Sequence, residues 1–249
     1  MKNKDSNGSK AKLRALVGTL IFMFFAYGFF SCASSEIADS ADVNQAKIYQ
    51  YYSITYDASL SDAYIVEAQF RFGGNKGTTL RLSDPSKILV NDVELDEESN
   101  VLRGCYYQTK LENDSKFNFK FIDTEEKEYS NECKLNKVDL KYIDDIIVER
   151  GLKIKWLGLP LASNETMTCV IEDEEGNTAS VSNDIIGAVS IKFNVEDLQT
   201  LIDGNAQIYM YRSSLVDAKE SADEGGKIYT EYKTEAIAVK IIRIEKPQV

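Results

Sequence analysis

From Ile48 onward apolar and polar residues alternate with a period of two, and this pattern restricts the chain more than any other feature. In Tyr64-Ile65-Val66-Glu67-Ala68-Gln69-Phe70-Arg71-Phe72 the even positions are apolar and the odd ones after Ile65 are polar. In Lys116-Phe117-Asn118-Phe119-Lys120-Phe121 the odd positions are apolar. Leu152 to Trp156 and Val189 to Phe193 repeat the alternation. Successive side chains of a strand point to opposite faces, so each segment reads as a strand with one wet and one buried face. Such segments recur with Gly, Asn and Asp between them, which implies an all-β chain built as antiparallel β-sandwich rather than βαβ units. One segment has helical character. Residues 195–202 follow Asn194, a good N-cap, carry acids in the first turn and stop before Asp203-Gly204, so a short crossover helix is expected there.

Strands are expected at 48–57, 62–72, 77–82, 86–91, 103–110, 116–123 and 127–134. A second set is expected at 138–143, 151–157, 166–172, 178–183, 187–194, 205–212 and 226–244, the last as a hairpin. Each set suits one sandwich of ~100 residues, so the body divides into domains at 48–135 and 136–249, with a single interleaved sandwich as the alternative. No sequence repeat between the halves is evident.

The N-terminus has a different character. Lys2, Lys4, Lys10, Lys12 and Arg14 precede an uncharged run, Ala15 to Phe30, which ends at Ser31-Cys32. A basic start, an apolar stretch and a small residue before a cut form the layout of a secretory signal, here residues 1–31. The run is short for a spanning helix, which needs ~20 residues, although Leu13 can extend it as an uncleaved anchor. Residues 33–47, with no aromatics or periodicity until Ile48, read as a flexible tether. Phe29-Phe30-Ser31-Cys32 resembles the lipobox of bacterial lipoprotein precursors: Ser31 and Cys32 match, and Phe30 stands where a small residue is usual. The resemblance implies lipidation of Cys32 as the first residue of a mature chain held in the cell envelope, probing either the periplasm or the outside from the outer membrane. The strand pattern of the body is similar to that of tandem immunoglobulin-like or transthyretin-like domains of cell-surface lipoproteins.

Composition narrows the chemistry. There is no histidine, which excludes a Ser-His-Asp triad, a Cys-His dyad and every His-ligated metal site. The net charge is −11, with +4 in the first 31 residues and therefore −15 in the rest. Such a body repels phosphate backbones, so nucleic acid is not an expected partner. Gly73-Gly74-Asn75-Lys76-Gly77-Thr78-Thr79 has the wrong spacing for a phosphate loop and reads as a hairpin turn. The acidic stretches at 92–98, 123–128 and 172–177 lack EF-hand spacing and read as solvated turns. No catalytic group, metal site or cofactor is expected, and the chain is not expected to be an enzyme.

Three cysteines remain beside Cys32. Cys105 and Cys133 fall in one expected domain and could pair across its sheets in an oxidising compartment; three free buried thiols is the alternative. Cys169 is in phase with Met167 and Ile171 on a core face. Tyrosine is abundant, at 14 residues. Tyr49, Tyr51, Tyr52 and Tyr56 crowd the first strand. Tyr106, Tyr107, Tyr209 and Tyr211 are candidate ligand contacts, since an exposed Tyr stacks on sugar rings and anchors protein contacts; ordinary sheet packing is the competing role. These features imply an envelope lipoprotein that binds a protein or a glycan. A structural adhesin or pilus-type subunit assembling by β-strand addition is the alternative, motivated by the apolar stretch Ala236 to Ile244.

Overall fold

The computed structural model describes residues 36–60, 62–112 and 116–244. Cys32 and the signal segment lie outside them. The described residues form nineteen strands and short 3-10 turns, and none of their helices is long and apolar enough to cross a membrane. The first ten strands are β1 (Ile37–Asp39), β2 (Ile48–Asp57), β3 (Ala63–Phe72), β4 (Thr78–Arg81), β5 (Lys87–Val90), β6 (Val93–Glu94), β7 (Asp96–Asn100), β8 (Gly104–Glu112), β9 (Lys116–Ile122) and β10 (Glu128–Lys134). They are followed by β11 (Val138–Leu140), β12 (Ile146–Ile147), β13 (Leu152–Gly158), β14 (Glu165–Asp173), β15 (Thr178–Asn183), β16 (Ser190–Phe193), β17 (Gly204–Asp217), β18 (Gly226–Lys233) and β19 (Ile237–Ile242).

The alternating segments become strands because each supplies an apolar row to an interior, and two interiors result. The first cluster lies between the four-stranded sheet β10-β9-β5-β6 and the part of a twelve-stranded sheet built from β8, β3, β2 and β18. Aromatic rings dominate it. Tyr52 stacks on Phe119 at 4.6 Å between centroids, and Phe70 meets Phe121 at 4.3 Å. The second cluster lies between the three-stranded sheet β11-β13-β16 and the remainder of the large sheet, β15-β14-β17-β19-β12. Trp156, Phe193, Met167, Ile171, Ile208 and Met210 fill it.

The two interiors share β17. Its first half pairs with β14 and β19, and its second half, from Tyr211 to Asp217, pairs with β18. β18 then runs parallel to β2, register Gly226↔Gln50 to Lys233↔Asp57. The chain therefore leaves the second cluster, adds Ala222 and Ile228 to the first, and returns. The hairpin expected over 226–244 is not formed: β18 and β19 both pair with β17, but on different stretches of it, one at each cluster. Ala236 to Ile244, the stretch that motivates strand addition, contains β19, which is hydrogen-bonded to β17 and to β12 and buries Val239 and Ile241.

Where the clusters meet, β17 places Arg212 on its inward side, almost fully buried. Its Nε donates to Glu165 Oε1 at 3.1 Å and its Nη2 to Glu165 Oε2 at 2.5 Å. The remaining donors reach the carbonyls of Leu159 (2.8 Å) and Pro160 (3.0 Å). Glu165 also accepts from Asn136 Nδ2 and from the Ala162 N–H, both at 2.7 Å. Burial alone would raise the Glu165 carboxyl, but the hydrogen bonds from Arg212, Ala162 and Asn136 and the charge of Arg212 outweigh it and hold the group below its ordinary range.

Two further expectations are corrected. Residues 36–47 are docked rather than forming a flexible tether. β1 pairs with β4, the Thr79 hydroxyl donates to the Glu36 carbonyl at 2.8 Å, and buried Gln45 donates to the Ser40 and Val43 carbonyls at 2.6 and 2.9 Å. The crossover near 195–202 contains only a 3-10 turn, Glu196–Leu198. Asn194 makes no side-chain cap; instead its N–H donates to Asp197. A single turn holding Leu198 and Leu201 against the second cluster is too short to repay helix nucleation.

The glycine-rich loop after β3 is the turn between β3 and β4. Gly73 and Gly74 have positive φ, and the Gly77 N–H donates to the Gly74 carbonyl at 3.0 Å. A Cβ on Gly77 would stand 1.8 Å from the Phe72 carbonyl oxygen. Gly77→Ala is therefore expected to lower stability by about 1–3 kcal/mol, as overpacking against backbone does. A shift of the urea midpoint at constant slope checks this.

Candidate functional site

Alternation across paired strands builds one continuous outer face on the large sheet. On β2 the odd residues point outward, so Tyr49 and Tyr51 are half-buried on that face, while Gln50 and Tyr52 are buried inside. Pairing carries the pattern sideways. Tyr51 is level with Gln69 on β3 and with Lys227 on β18, and Tyr49 is level with Arg71. Tyr229 of β18 stands level with Leu215 of β17. On the far side of β3, β8 contributes Tyr106. Four half-buried tyrosines, Tyr106, Tyr51, Tyr49 and Tyr229, are thus spread over three strands of one surface.

Two of them, Tyr49 and Tyr51, line a groove of about 380 Å³ together with Gln69, Arg71, Asn75, Leu215 and Lys227. Its cations are held in place. Arg71 donates to the Gly77 carbonyl at 2.9 Å and to Gln69 Oε1 at 2.8 Å, and burial lowers its pKa. The Arg103 guanidinium lies 4.0 Å over the Tyr106 ring and grips Glu67 with two bonds, at 3.0 and 2.7 Å. Lys227 pairs with Asp217 at 2.6 Å. Burial raises the Tyr49, Tyr51 and Tyr229 phenols, and a hydrogen bond to Glu231 raises Tyr229 further. All three therefore stay protonated as donors at neutral pH. Arg103 is paired with Glu67 and Lys227 with Asp217, and β7 extends the face with the exposed acids Glu98 and Asp96, level with Tyr106 and Gln108.

The structure divides the sequence candidates. Tyr106 belongs to the face. Tyr107 does not: adjacent strand residues point to opposite sides, and Tyr107 is 5% exposed inside the first cluster, its hydroxyl accepting the Leu82 N–H at 2.6 Å. Tyr209 and Tyr211 are outward on β17, edge to face at 5.6 Å, with Lys233 Nζ 5.2 and 5.9 Å from their rings. Burial, then Tyr211 and Glu172, push the Tyr209 phenol up to about 12. Tyr211 lines a separate groove of about 370 Å³ with Tyr56, Leu60, Ile65 and Lys233. Tyr49 and Tyr51 stand out in the sequence only as part of a crowded first strand, and Tyr229 and Arg71 do not stand out at all. The alternation of Tyr49 and Tyr51 against Tyr52 was the available signal for two of them.

Cys105, Cys133 and Cys169 are all free thiols. Cys105 and Cys133 lie on the two facing sheets of the first cluster and are not bonded to each other. Cys105 is on β8 between β3 and β7, whereas β10, which carries Cys133, is the edge strand bonded through Ser130 and Asn131 to Glu220 in the β17–β18 loop. Burial raises all three thiols, Cys133 to about 12, so none is a reactive thiolate.

The acidic loops at 123–128 and 172–177 are one turn used twice. Asp123 accepts from the N–H of Glu125 and of Lys127, both at 2.9 Å, and Asp173 accepts from those of Glu175 and Asn177 at 3.0 and 2.9 Å. Both close hairpins, with Glu126 and Gly176 at positive φ. The Asp oxygens are occupied by backbone donors, as in Asx turns. Among the described residues no group of three Cys, Asp or Glu is arranged around a metal position.

No family model matches this chain, and no curated protein matches it. Solved structures give weak likenesses. A tetra-tandem repeat from the extending region of a large adhesion protein aligns at 12% identity and TM-score 0.26, over 71% of this chain and 56% of that one. The BSP domain of a biofilm associated protein aligns at 10% and 0.23, over 81% and 30%. The chicken CNTN1 FN1-FN3 domains align at 11% and 0.21, over 78% and 67%. The chain thus spans about half and a third of the first two. The functional reading rests on the face described above.

Proposed function

We propose that this protein is an envelope lipoprotein whose body is two β-sandwiches sharing β17, and that it binds a glycan on the outer face of its large sheet without chemical turnover. One observation carries this reading: Tyr106, Tyr51, Tyr49 and Tyr229 lie on one surface, interleaved with Gln69, Asn75 and Arg71. Tyrosine rings offer apolar faces for sugar rings, and the amides and guanidinium supply hydrogen bonds to hydroxyls. Lipidation at Cys32 would hold the body at the outer membrane. The strand-addition alternative has less support, because β19 is already paired on both sides.

A glycan array followed by calorimetry tests the reading. Tyr51→Ala combined with Tyr106→Ala is expected to weaken the best saccharide by roughly thirtyfold or more, the loss seen when central aromatic anchors of about 2 kcal/mol are removed. Tyr209→Ala should leave binding unchanged. Saccharide binding unaffected by the double variant, or an array with no hit, would overturn it. Intact mass of the processed N-terminus tests the anchor: a chain starting at unmodified Ala33, or at Met1, rules it out.

A further inference from the structure

A second surface stands out against the acidity of the body. The outer face of the three-stranded sheet carries Lys153 and Lys155 on β13 and Lys192 on β16, with Lys141 just beyond β11, all exposed. Lys153 and Lys192 are direct cross-strand partners. Like charges placed opposite each other destabilise a sheet. None of the four lysines forms an ion pair with a described residue. The acids nearby are Asp139, level with Leu157, exposed Asp184 next to Ile185, and Asp144 and Asp145, which line a groove of about 370 Å³ with Lys141, Tyr142, Lys153 and Lys155.

The lysine face continues into exposed aliphatic side chains. Leu157 follows Lys155 on the outward side of β13, and Val189 directly precedes β16. Leu159, Ile185 and Ile186 are 62%, 68% and 71% exposed. Their two loops are tied together, with the Leu161 N–H donating to the Ala188 carbonyl at 2.9 Å and the Gly187 N–H to the Leu161 carbonyl at 2.8 Å. The aliphatics are therefore presented on a fixed support.

We propose that this combined face docks onto a bilayer surface bearing anionic headgroups, the lysines meeting phosphates and Leu159, Ile185 and Ile186 entering the headgroup–acyl boundary. Clustered amines beside exposed aliphatics suit that boundary on both counts. The sequence outside the structure supplies the second argument. The apolar run Ala15 to Phe30 and Cys32 precede Glu36 by few residues, and four residues span at most roughly 14 Å. A body anchored there stays beside the bilayer. The lysine face looks away from the large sheet across the second cluster, so docking it leaves the outer face of the large sheet free. This inference rests on the membrane-anchored reading.

The test uses the acylated full chain in nanodiscs of phosphatidylcholine alone or mixed with phosphatidylglycerol. It carries an environment-sensitive fluorophore at Ile186→Cys, with Cys133→Ser to confine the label. In anionic discs the emission should shift to the blue and resist aqueous quencher; in neutral discs it should do neither. Lys153→Glu, Lys155→Glu and Lys192→Glu together should lower the docked-to-undocked ratio by roughly a hundredfold or more. A chain that enters discs but keeps its label in water overturns the docking alone. A chain that does not enter discs overturns the anchor, and the docking with it.

Discussion

Truncation after Glu235 is expected to unfold the second cluster while leaving the first assembled. β19 is the only strand paired to the Gly204–Ile208 stretch of β17 on that side, and it closes the interior with Val239 and Ile241. Removing two buried aliphatics costs about 2–5 kcal/mol each before the lost backbone pairing is counted. That sum is comparable with the whole stability of a domain, about 5–15 kcal/mol. The first cluster keeps β17's second half and β18, so its strands remain paired. Trp156, the single tryptophan, is 5% exposed in the second cluster and reports the outcome directly. Its emission should move to the red in the truncated chain, while amide protection persists over β2, β3 and β9. A truncated chain with an unchanged tryptophan spectrum would show that β19 is dispensable, and would return strand donation to another copy as the leading reading.

Arg212→Ala is expected to cost about 3–5 kcal/mol, because it strands the Glu165 carboxylate in the interior. Replacing both partners with apolar residues, Arg212→Met with Glu165→Leu, should cost much less, since neither charge is then left buried. Urea unfolding of the three proteins decides this. If the single variant is as stable as the wild type, the pair contributes nothing at the junction. The pair also links stability to pH. The folded Glu165 pKa lies below the ordinary 4.5, so its contribution is fully present above that value and is lost as pH falls through the depressed one. The stability of the wild type should fall in acid, and the doubly apolar variant should lack that component.

Residues that alternate cleanly were legible in the sequence. Ile48 to Asp57 is a strand with the expected ends, and Phe117, Phe119 and Phe121 point inward together. Strands without an apolar row were not legible: Asp96 to Asn100 is exposed at all five positions and is held by its pairing with β8 and by the ion pair of Arg81 with Glu97. The expected end of β17 at Arg212 shows why the return of the chain to the first cluster through Ala222 and Ile228 was not legible. A charged residue on an inward position reads as the end of a strand, and Ser213-Ser214 reinforces that reading. Glu165, 47 residues away, neutralises the inward arginine, and pairing with β14 and β18, with Ser214 hydrogen-bonded to Thr230 at 2.8 Å, makes the serines part of a sheet. The candidate face failed to show for the same reason. Alternation indicates that Tyr49 and Tyr51 share a side, but their union with Arg71, Tyr106 and Tyr229 depends on strand order, including the parallel β2–β18 pair that brings positions nearly 180 residues apart together.

The shared strand has a mechanical consequence. Ile37 enters level with Thr79, Arg71 and Tyr49, near the Asp217 end of β17, whereas Ile241 lies beside Gly204 at the other end. The two ends of the described chain are therefore separated by the length of a fourteen-residue strand, roughly 45 Å at ~3.3 Å per residue. Tension between an anchor before Glu36 and a load beyond Ile244 would run along β17. It would pull on the β14, β18 and β19 ladders lengthwise, loading many hydrogen bonds at once instead of opening them one after another. Pulled apart at those two ends, the large sheet would be loaded in shear.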